Sequence, residues 1–548
     1  MNHIIKPYII WVVLFLFIDI TSCNNQNSEQ SKHKVSNAVV DVIRLEGGDW
    51  GYPTPYAHYP RGPGGFKMCF IFDSLIERDE KGFIPWLAER WDILNNGKQY
   101  QFTIRDGVQW HDGKPLTPKD VQFSLEYANH HAMSWSHIYG KIQAVHVSSD
   151  RNVLVTVIEP DVSMLDNLGR TRIFPEHIWK TIDNPKLFQT TDAVIGTGPY
   201  CLTHYSKSHG TYRFKAFDKF WGPTPMINNL EFVPVSQAIL AFEQGDIDVA
   251  GIPPDALPRF QNNPEYRIIV GPAFWGYRML FNLKQCPVFN LKKMRQAICY
   301  AIDSNTLIKT TARGAGKPGS PGILSPDHVM FNPSIKPYPY DLDKSRALLD
   351  ACGYTTMNAE NTRMNAKGQT LSFEFLCSSG ARMTRSPISE IRIAELIKEF
   401  LSRVGIQIKV ISMDEKRRDS AIINHSYQLI MVGHGGWGQD PQFLKRRFTE
   451  SEATNRSLVD YPSYGYVHEE LTRLLSLQQL EFNYEKRIRL IWKIQELLAD
   501  ELPEIALFYT IQYTVFRPSQ YNGWRMMFDH HSFVHSKLSF LKRETLKK

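Results

Sequence analysis

Strand and helix patterns alternate along one stretch of the chain, and this alternation limits the fold more than any other feature of the sequence. Strand patterns occupy residues 371–376, 406–411 and 428–432. Apolar residues at a helical spacing predict a helix over 388–404, between the first two strands, and another over 481–498. A strand–helix–strand order of this kind favours an α/β fold with a largely parallel sheet.

The size of the chain indicates more than one lobe. It has 548 residues, of which 43% are hydrophobic, whereas a single core usually stops growing at about 250–300 residues. The net charge of +7 comes from 63 basic and 56 acidic residues without a long run of one sign. This balance argues against a nucleic-acid partner, and residues 536–548 are predicted to be a basic, solvated tail.

The first residues are typical of an export signal. Lys6 precedes an apolar run at 9–18 that is too short to span a bilayer. The run ends in Ile20-Thr21-Ser22-Cys23, which resembles the bacterial lipobox. We therefore expect a signal peptide at 1–22, acylation of Cys23 and a flexible tether at 23–38, which would anchor the protein to a membrane of the cell envelope, facing the periplasm or the exterior. An ordinary secretory signal is the alternative.

The remaining chemistry-bearing residues do not form an enzyme signature. The sequence contains no Gly-x-Ser-x-Gly elbow, no His-Glu-x-x-His motif and no P-loop. His111 and Asp112 are neighbours in the chain, but they are predicted to lie in a turn and to point to different sides. Six cysteines beyond Cys23 are widely spaced without a CxxC pair, so buried thiols are expected, although one disulfide stays possible. We expect no cofactor and no metal site.

Seven segments, in order, resemble the family 5 extracellular solute-binding proteins, the substrate receptors of peptide and nickel ABC importers. The resemblance extends over about 39–516. The segments are WLAERW (86–91), YQFTIR with WHDGKPLTPKDVQFS (100–105 and 110–124), GTGPY (196–200), FWGPTPMI (220–227), AFEQGDID (241–248), FNL (281–283), and MRQAI with AID (294–298 and 301–303).

The resemblance implies a periplasmic-binding-protein-like fold, in which two α/β lobes are joined by a hinge and enclose a cleft, with an additional inserted lobe. It implies a discontinuous first lobe, an inserted lobe that enlarges the cleft, and a distal lobe. The expected boundaries are 39–73, 193–285 and 511–535 for the first lobe, 74–192 for the inserted lobe, and 286–510 for the distal lobe.

The resemblance also implies a function. A receptor of this family would capture a peptide between its lobes and deliver it to an ABC permease that works with a separate ATPase, and we expect a monomer. The first alternative keeps the fold but changes the ligand to nickel, a metal chelate or another small solute. A secreted hydrolase is a remote alternative.

The leading candidate for ligand binding is the loop that follows the strand at 428–432. This position corresponds to the carboxyl end of a strand, where open α/β sheets bind ligands. The resemblance implies that Trp437 covers a peptide, while Asp440 either pairs with its ammonium group or caps the next helix. His434 could bind a metal ion or make a hydrogen bond within the loop.

A second candidate group combines aromatic and basic side chains from two parts of the chain. Such side chains suit carboxylates, peptide backbones or anionic metal chelates, although Gly-Pro-aromatic loops also pack on themselves. The group consists of Tyr56, His58, Tyr59 and Arg61 on an early loop and of Trp275, Tyr277 and Arg278 on a later strand.

Overall fold

The computed structural model describes residues 39–59, 62–134, 136–380, 388–434, 440–449, 460–527 and 532–543. The predicted signal peptide, tether and Cys23 lie outside these ranges. The strands are β1 (Val40–Glu46), β2 (Ile76–Arg78), β3 (Phe83–Pro85), β4 (Ala88–Leu94), β5 (Gln99–Ile104), β6 (Ile142–Val147), β7 (Asn152–Val157), β8 (Tyr200–Ser206), β9 (Thr211–Ala216), β10 (Ile227–Val233), β11 (Val249–Ile252), β12 (Arg267–Val270), β13 (Trp275–Phe281), β14 (Gly316–Pro318), β15 (Thr356–Met357), β16 (Arg363–Met364), β17 (Ser372–Ser378), β18 (Gln407–Met413), β19 (Leu429–His434), β20 (Glu504–Thr510) and β21 (Tyr513–Phe516).

The helices lie mainly in the second half of the chain. They are α1 (Gly62–Met68), α2 (Pro118–His130), α3 (Met164–Arg170), α4 (Glu176–Trp179), α5 (Ala238–Gln244), α6 (Leu257–Phe260), α7 (Lys292–Ala301), α8 (Ser304–Thr311), α9 (Leu342–Ala351), α10 (Glu390–Ser402), α11 (Glu415–Ile423), α12 (Phe443–Phe448), α13 (Glu469–Leu480) and α14 (Tyr484–Glu501).

The distal lobe is built on a six-stranded sheet with the order β14-β20-β13-β19-β17-β18. The strands and helices predicted from the alternating patterns are confirmed, with ends that differ by a few residues. The sheet is mixed, however, because β17 runs parallel to β18 and β19 while β13, β14 and β20 pair antiparallel. The prediction of a largely parallel sheet is therefore correct only for β17, β18 and β19, which helices α10 and α11 connect.

The first lobe contains two smaller sheets, and the inserted lobe contains a four-stranded sheet and the short two-stranded sheet β2-β3. The sheets of the first lobe have the orders β1-β10-β9-β8 and β11-β21-β12, and the inserted lobe has β4-β5-β7-β6. Helix α2 of the inserted lobe begins after its N-cap residue Thr117. The backbone N–H of Thr117 donates to Asp120 Oδ2 at 2.8 Å, so the acidic side chain satisfies an amide at the helix start.

The polypeptide passes between the first and distal lobes at two neighbouring places. One segment, 271–274, joins β12 to β13, and the other, 511–512, joins β20 to β21. The N–H of Gly271 donates to the carbonyl of Gln512 at 2.9 Å, so the two segments lie side by side. Two short parallel connections of this kind can act as a hinge.

Strand β13 bears on the position of the lobe boundary. It lies between β20 and β19 in the six-stranded sheet, although its residues precede the expected boundary at 285. We therefore propose that the distal lobe begins after segment 271–274. The resemblance implied a later boundary, and the sequence could not correct it because β13 is separated from its partners by more than 140 residues.

The beginning of the basic tail is not solvated, which corrects that expectation for residues 537–541. Lys537 is 2% exposed and forms ion pairs with Asp73 at 2.5 Å and Glu77 at 2.7 Å. Phe540 is fully buried against Phe70. The lysine is buried because two carboxylates from distant parts of the chain compensate its charge.

The apolar residues form separate cores. One cluster combines the first and inserted lobes, from Ile43 to Leu541, and another fills one face of the six-stranded sheet, from Tyr277 to Phe508. The six described cysteines are free thiols, of which Cys286 and Cys377 are buried and the other four are partly buried. Burial raises the pKa of Cys299 and of Cys377 to about 12, so neither thiol is ionised at neutral pH.

Candidate ligand-binding cleft

The edge of the six-stranded sheet that faces the first lobe is the natural place for a ligand. Strands β17 and β19 both end at this edge, β20 ends there, and β13 begins there. The two connecting segments leave the sheet at the same edge. In open α/β sheets, ligands bind outside the carboxyl ends of the strands.

A pocket of about 240 Å³ lies at this edge and is lined from both lobes. The first lobe contributes the end of β11 with Pro253 and Pro254, together with Tyr513 and Thr514. The distal lobe contributes the end of α8 and the start of α10, and the connection at 510–512 forms another wall. Because both lobes line it, a hinge motion would open and close this pocket.

The pocket is basic and rich in hydroxyl groups. Its described lining contains two arginines and no carboxylate side chain. Arg313 is ion-paired with Asp255. Within the ranges that the structure describes, no acidic side chain lies within ion-pair distance of Arg392. The hydroxyl-bearing residues Thr310, Thr514 and Ser389 also line the pocket. Guanidinium and hydroxyl groups together suit a carboxylate or another anionic group.

The leading candidate loop is described only at its two ends. Trp437 lies outside the described residues, and His434 is the last residue of β19, where its backbone pairs with Gly276. One position before it, Gly433 lies directly under the indole of Trp275. A Cβ at this position would come within 2.7 Å of the ring. Glycine is therefore needed here, which brings Trp275 onto the end of β19.

Asp440 makes a structural ion pair. Its two carboxylate oxygens accept from Arg487 Nη1 and Nη2, at 2.5 and 2.8 Å, in a bidentate arrangement. Its Oδ1 also accepts from the N–H of Gln442, immediately before helix α12. Both side chains are largely buried, with exposures of 14% and 5%. The carboxylate of Asp440 is thus engaged by the protein itself.

Tyr277 and Arg278 lie in the interior of the distal lobe. The ring of Tyr277 packs on Phe508, with ring centroids 5.4 Å apart. Arg278 is fully buried, and its Nη1 donates to Glu504 Oε2 at 2.6 Å. Neither side chain is among those that line the pocket.

The early loop packs against the inserted lobe. The ring of Tyr56 lies among the rings of Tyr127, Phe174 and Trp179, at centroid distances of 5.7, 6.1 and 5.9 Å. Arg61 lies outside the described residues, and the N–H of Tyr59 donates to the Trp50 carbonyl. Tyr56 and Tyr277, one from each half of the second candidate group, belong to different hydrophobic clusters.

His58 is a buried, neutral histidine on the same loop. Its Nδ1 lies 2.7 Å from the carbonyl oxygen of Thr54. Burial lowers its pKa to about 4, partly offset by that hydrogen bond. The imidazole therefore carries no charge at neutral pH.

His111 and Asp112 point apart, as the sequence predicted. His111 Nε2 lies 2.9 Å from the carbonyl oxygen of Gly198, whereas Asp112 Oδ2 lies 2.8 Å from His177 Nε2. Among the described residues, no group of three or more histidine, cysteine or acidic side chains could hold a metal ion.

Sequence reasoning missed the buried charge cluster behind the cleft. Glu504 Oε2 pairs with Arg278, and Glu504 Oε1 accepts from Arg447 Nη1 at 2.8 Å. All three side chains are fully buried. Burial, and then the neighbouring Arg278, lower the pKa of Arg447 to about 10. No local pattern could indicate this cluster, because its members are separated by 57 and 226 positions.

The fold is that of a two-lobed α/β protein with a pocket beside the segments that connect its lobes. A family model described as "Bacterial extracellular solute-binding proteins, family 5 Middle" matches residues 82–455. This match covers more than half of the chain, which therefore belongs to that family of solute-binding proteins. None of the helices in the described ranges has the length and apolar character needed to cross a membrane.

Curated relatives are similar over most of their length. The dipeptide-binding protein of Escherichia coli (strain K12) is 26% identical over 465 residues, which cover 79% of this chain and 82% of that protein. The nickel-binding periplasmic protein of the same strain is 26% identical over 420 residues, which cover 72% of this chain and 77% of that protein.

Solved structures share the fold. The oligopeptide-binding protein AppA from Bacillus subtilis, in complex with a nonapeptide, aligns with a TM-score of 0.76 at 19% identity and covers 92% of this chain and 100% of its own. NikZ from Campylobacter jejuni, in complex with Ni(L-His), aligns with a TM-score of 0.74 at 23% identity, covering 92% and 99%. These likenesses establish the predicted two-lobed α/β architecture.

Proposed function

We propose that the protein captures a short peptide between its first and distal lobes and delivers it to the membrane permease of an ABC importer. The observation that carries this proposal is the pocket at the hinge, which takes its walls from both lobes. Closure around a ligand would bury it and shift the protein to a closed state that a permease can recognise. Membership of the family and the named peptide-binding relatives support the same function.

The pocket chemistry supports a proposal for one end of the ligand. The guanidinium of Arg392, with the hydroxyls of Thr310 and Thr514, would hold a carboxylate. The ammonium end would lie toward the loop that contains Trp437, whose ring would cover the peptide. Since Asp440 already pairs with Arg487, a backbone carbonyl or another carboxylate would receive the ammonium group.

The other parts of the proposal concern partners and location. A separate ATPase would energise transport, because the chain contains no P-loop. The protein would act as a monomeric carrier rather than an enzyme. Acylation of Cys23 would hold it at the surface of a membrane, within reach of the permease.

A small anionic solute or an anionic metal chelate is the second candidate ligand. It is favoured by the basic character of the pocket, which presents Arg392 without an acidic side chain in its described lining. The nickel-binding relative shows that the family includes metal carriers. A chelate would be recognised through its carboxylates, because the described residues provide no metal-binding cluster.

Native mass spectrometry of the chain from Asn24 onward, purified from its own bacterium, tests the proposal. We expect a mixture of bound short peptides. The ligand-free protein is then titrated by calorimetry with trialanine and with trialanine amide, and the amide should bind at least tenfold more weakly. A single bound metal chelate, or no binding of either peptide, would overturn the peptide proposal.

A further inference from the structure

The distal lobe touches the inserted lobe at a point away from the pocket. The backbone N–H of Val162 donates to the carbonyl of Gln479, at the end of α13, at 2.9 Å. The side-chain Nε2 of Gln479 donates to Asp161 Oδ2 at 2.6 Å. Asp161 and Val162 belong to the inserted lobe and Gln479 to the distal lobe, so these bonds are contacts between lobes.

The side-chain amide of Gln479 is oriented so that both its oxygen and its nitrogen form hydrogen bonds. Its Oε1 accepts from the ammonium group of Lys445 in α12, within the distal lobe. Its Nε2 faces the carboxylate of Asp161, whose other oxygen accepts from the N–H of Ser163 at 2.9 Å. The amide therefore connects a cation of one lobe to an anion of the other.

Two further contacts flank this bridge. Gln442 Nε2 donates to Asp166 Oδ2 at 3.3 Å, and Arg78 holds Asp166 through a 2.6 Å ion pair. The ring of Phe482 fills the space beside Gly97, where a Cβ would lie within 2.0 Å of it. The contact surface thus combines polar bonds with an aromatic ring that fits only against glycine.

We infer that Gln479 is a positioning residue that fastens the distal lobe to the inserted lobe and so favours the closed cleft. Segments 271–274 and 511–512 join the distal lobe to the first lobe, which shares a hydrophobic core with the inserted lobe, so rotation about these segments would separate Val162 from Gln479. None of the bridging residues lines the pocket. The contact would raise ligand affinity without touching the ligand, because binding requires the closed state. The consequence for affinity rests on the proposed function, whereas the contact itself can be tested without ligand.

Amide hydrogen exchange at Val162 in the ligand-free chain provides the test. In the wild-type protein this amide should exchange more slowly than an unprotected amide. Gln479→Glu keeps the size of the side chain and its bond to Lys445, but places a carboxylate against Asp161. We expect exchange at Val162 to become about tenfold faster. The amide of Met164, which donates within the inserted lobe to the Asp161 carbonyl, should be unaffected.

Matched variants separate the contact between lobes from general damage. Gln407→Glu makes the same chemical change on a strand of the distal lobe, at an exposed side chain that donates to the Glu360 carbonyl, and should leave Val162 protected. Asp161→Asn, added to Gln479→Glu, should restore protection because an amide again faces a carboxylate. Gln479→Ala provides a neutral second variant with the same expected loss.

The outcomes are distinct. Unprotected exchange at Val162 in the wild type, or protection that Gln479→Glu and Gln479→Ala leave unchanged, would overturn the inference. If trialanine fails to bind at all, the proposed function is refuted for this probe, while the exchange result still decides whether Gln479 joins the lobes. If the wild type binds it, Gln479→Glu should weaken binding by about tenfold, and equal affinities would refute the link to ligand capture.

Discussion

Replacing Glu504 by glutamine should destabilise the distal lobe strongly. Glu504 is the shared anion of two buried arginines, Arg278 and Arg447, with nitrogen–oxygen distances of 2.6 and 2.8 Å and no exposure of any of the three side chains. Glutamine keeps the volume and can still accept one hydrogen bond. It removes the charge that compensates two guanidinium groups.

The expected loss follows from the cost of buried charges. Breaking a buried ion pair by neutralising one partner costs about 3–5 kcal/mol, because the remaining charge stays desolvated. Here two cations lose one anion, which would increase the cost. Asp460 attracts Arg447 and partly compensates it. We therefore expect the free energy of unfolding to fall by about 3–5 kcal/mol.

Denaturant unfolding of the distal lobe, followed by circular dichroism, measures this change. The control is Glu374→Gln, which removes an exposed carboxylate paired with Lys409 in the same lobe and should cost about 0.5 kcal/mol or less. Replacing Arg278, Glu504 and Arg447 together by apolar residues should recover part of the loss. Equal stabilities of the Glu504 and Glu374 variants would refute the reasoning.

Three further predictions concern the cleft and the lobes. Trp437→Ala should weaken ligand binding at least tenfold in calorimetry while the melting temperature without ligand barely changes, and an unchanged affinity would remove the loop from the site. Asp440→Asn should lower the free energy of unfolding by about 2–4 kcal/mol, because Arg487 loses a largely buried partner, but should leave ligand affinity unchanged; the reverse pattern would favour an ammonium-binding Asp440. Burial, and then Arg446, lower the pKa of His137 well below its ordinary value. The folded protein therefore binds fewer protons than the unfolded chain, and it should lose stability as the pH falls below about 6.5. Melting temperatures from pH 7.5 to 5 should show this slope, and His137→Gln should flatten it.

The alternating part of the distal lobe could be predicted from the sequence because its pattern is local. The strand β17, helix α10 and strand β18 follow one another within 42 residues, and each shows its own apolar period. The end of helix α5 also has a local signal in the sequence, the glycine at position 245. Gly245 has a positive φ of 82° there, and the strand β11 begins four residues later.

The candidate site was harder to predict because its residues meet only through the fold. Arg278 follows two aromatic residues on a strand, which suggested a ligand-binding group, but its partner Glu504 lies 226 positions away. Asp440 lies in a segment with the composition of a binding loop, yet its carboxylate forms an ion pair with Arg487 from a later helix. In both cases the charged side chain pairs with a distant side chain of the same protein and not with a ligand.

The pocket illustrates the same limit more sharply. Thr310, Arg392 and Thr514 come from the ends of three different elements, and no motif connects them. They meet because the chain crosses twice between the lobes beside the carboxyl edge of the six-stranded sheet. Hinge and pocket are therefore one structural feature, and any change that alters the angle between the lobes also changes the distance between the groups that would hold the ligand. This is why a residue such as Gln479, remote from the pocket, can control affinity.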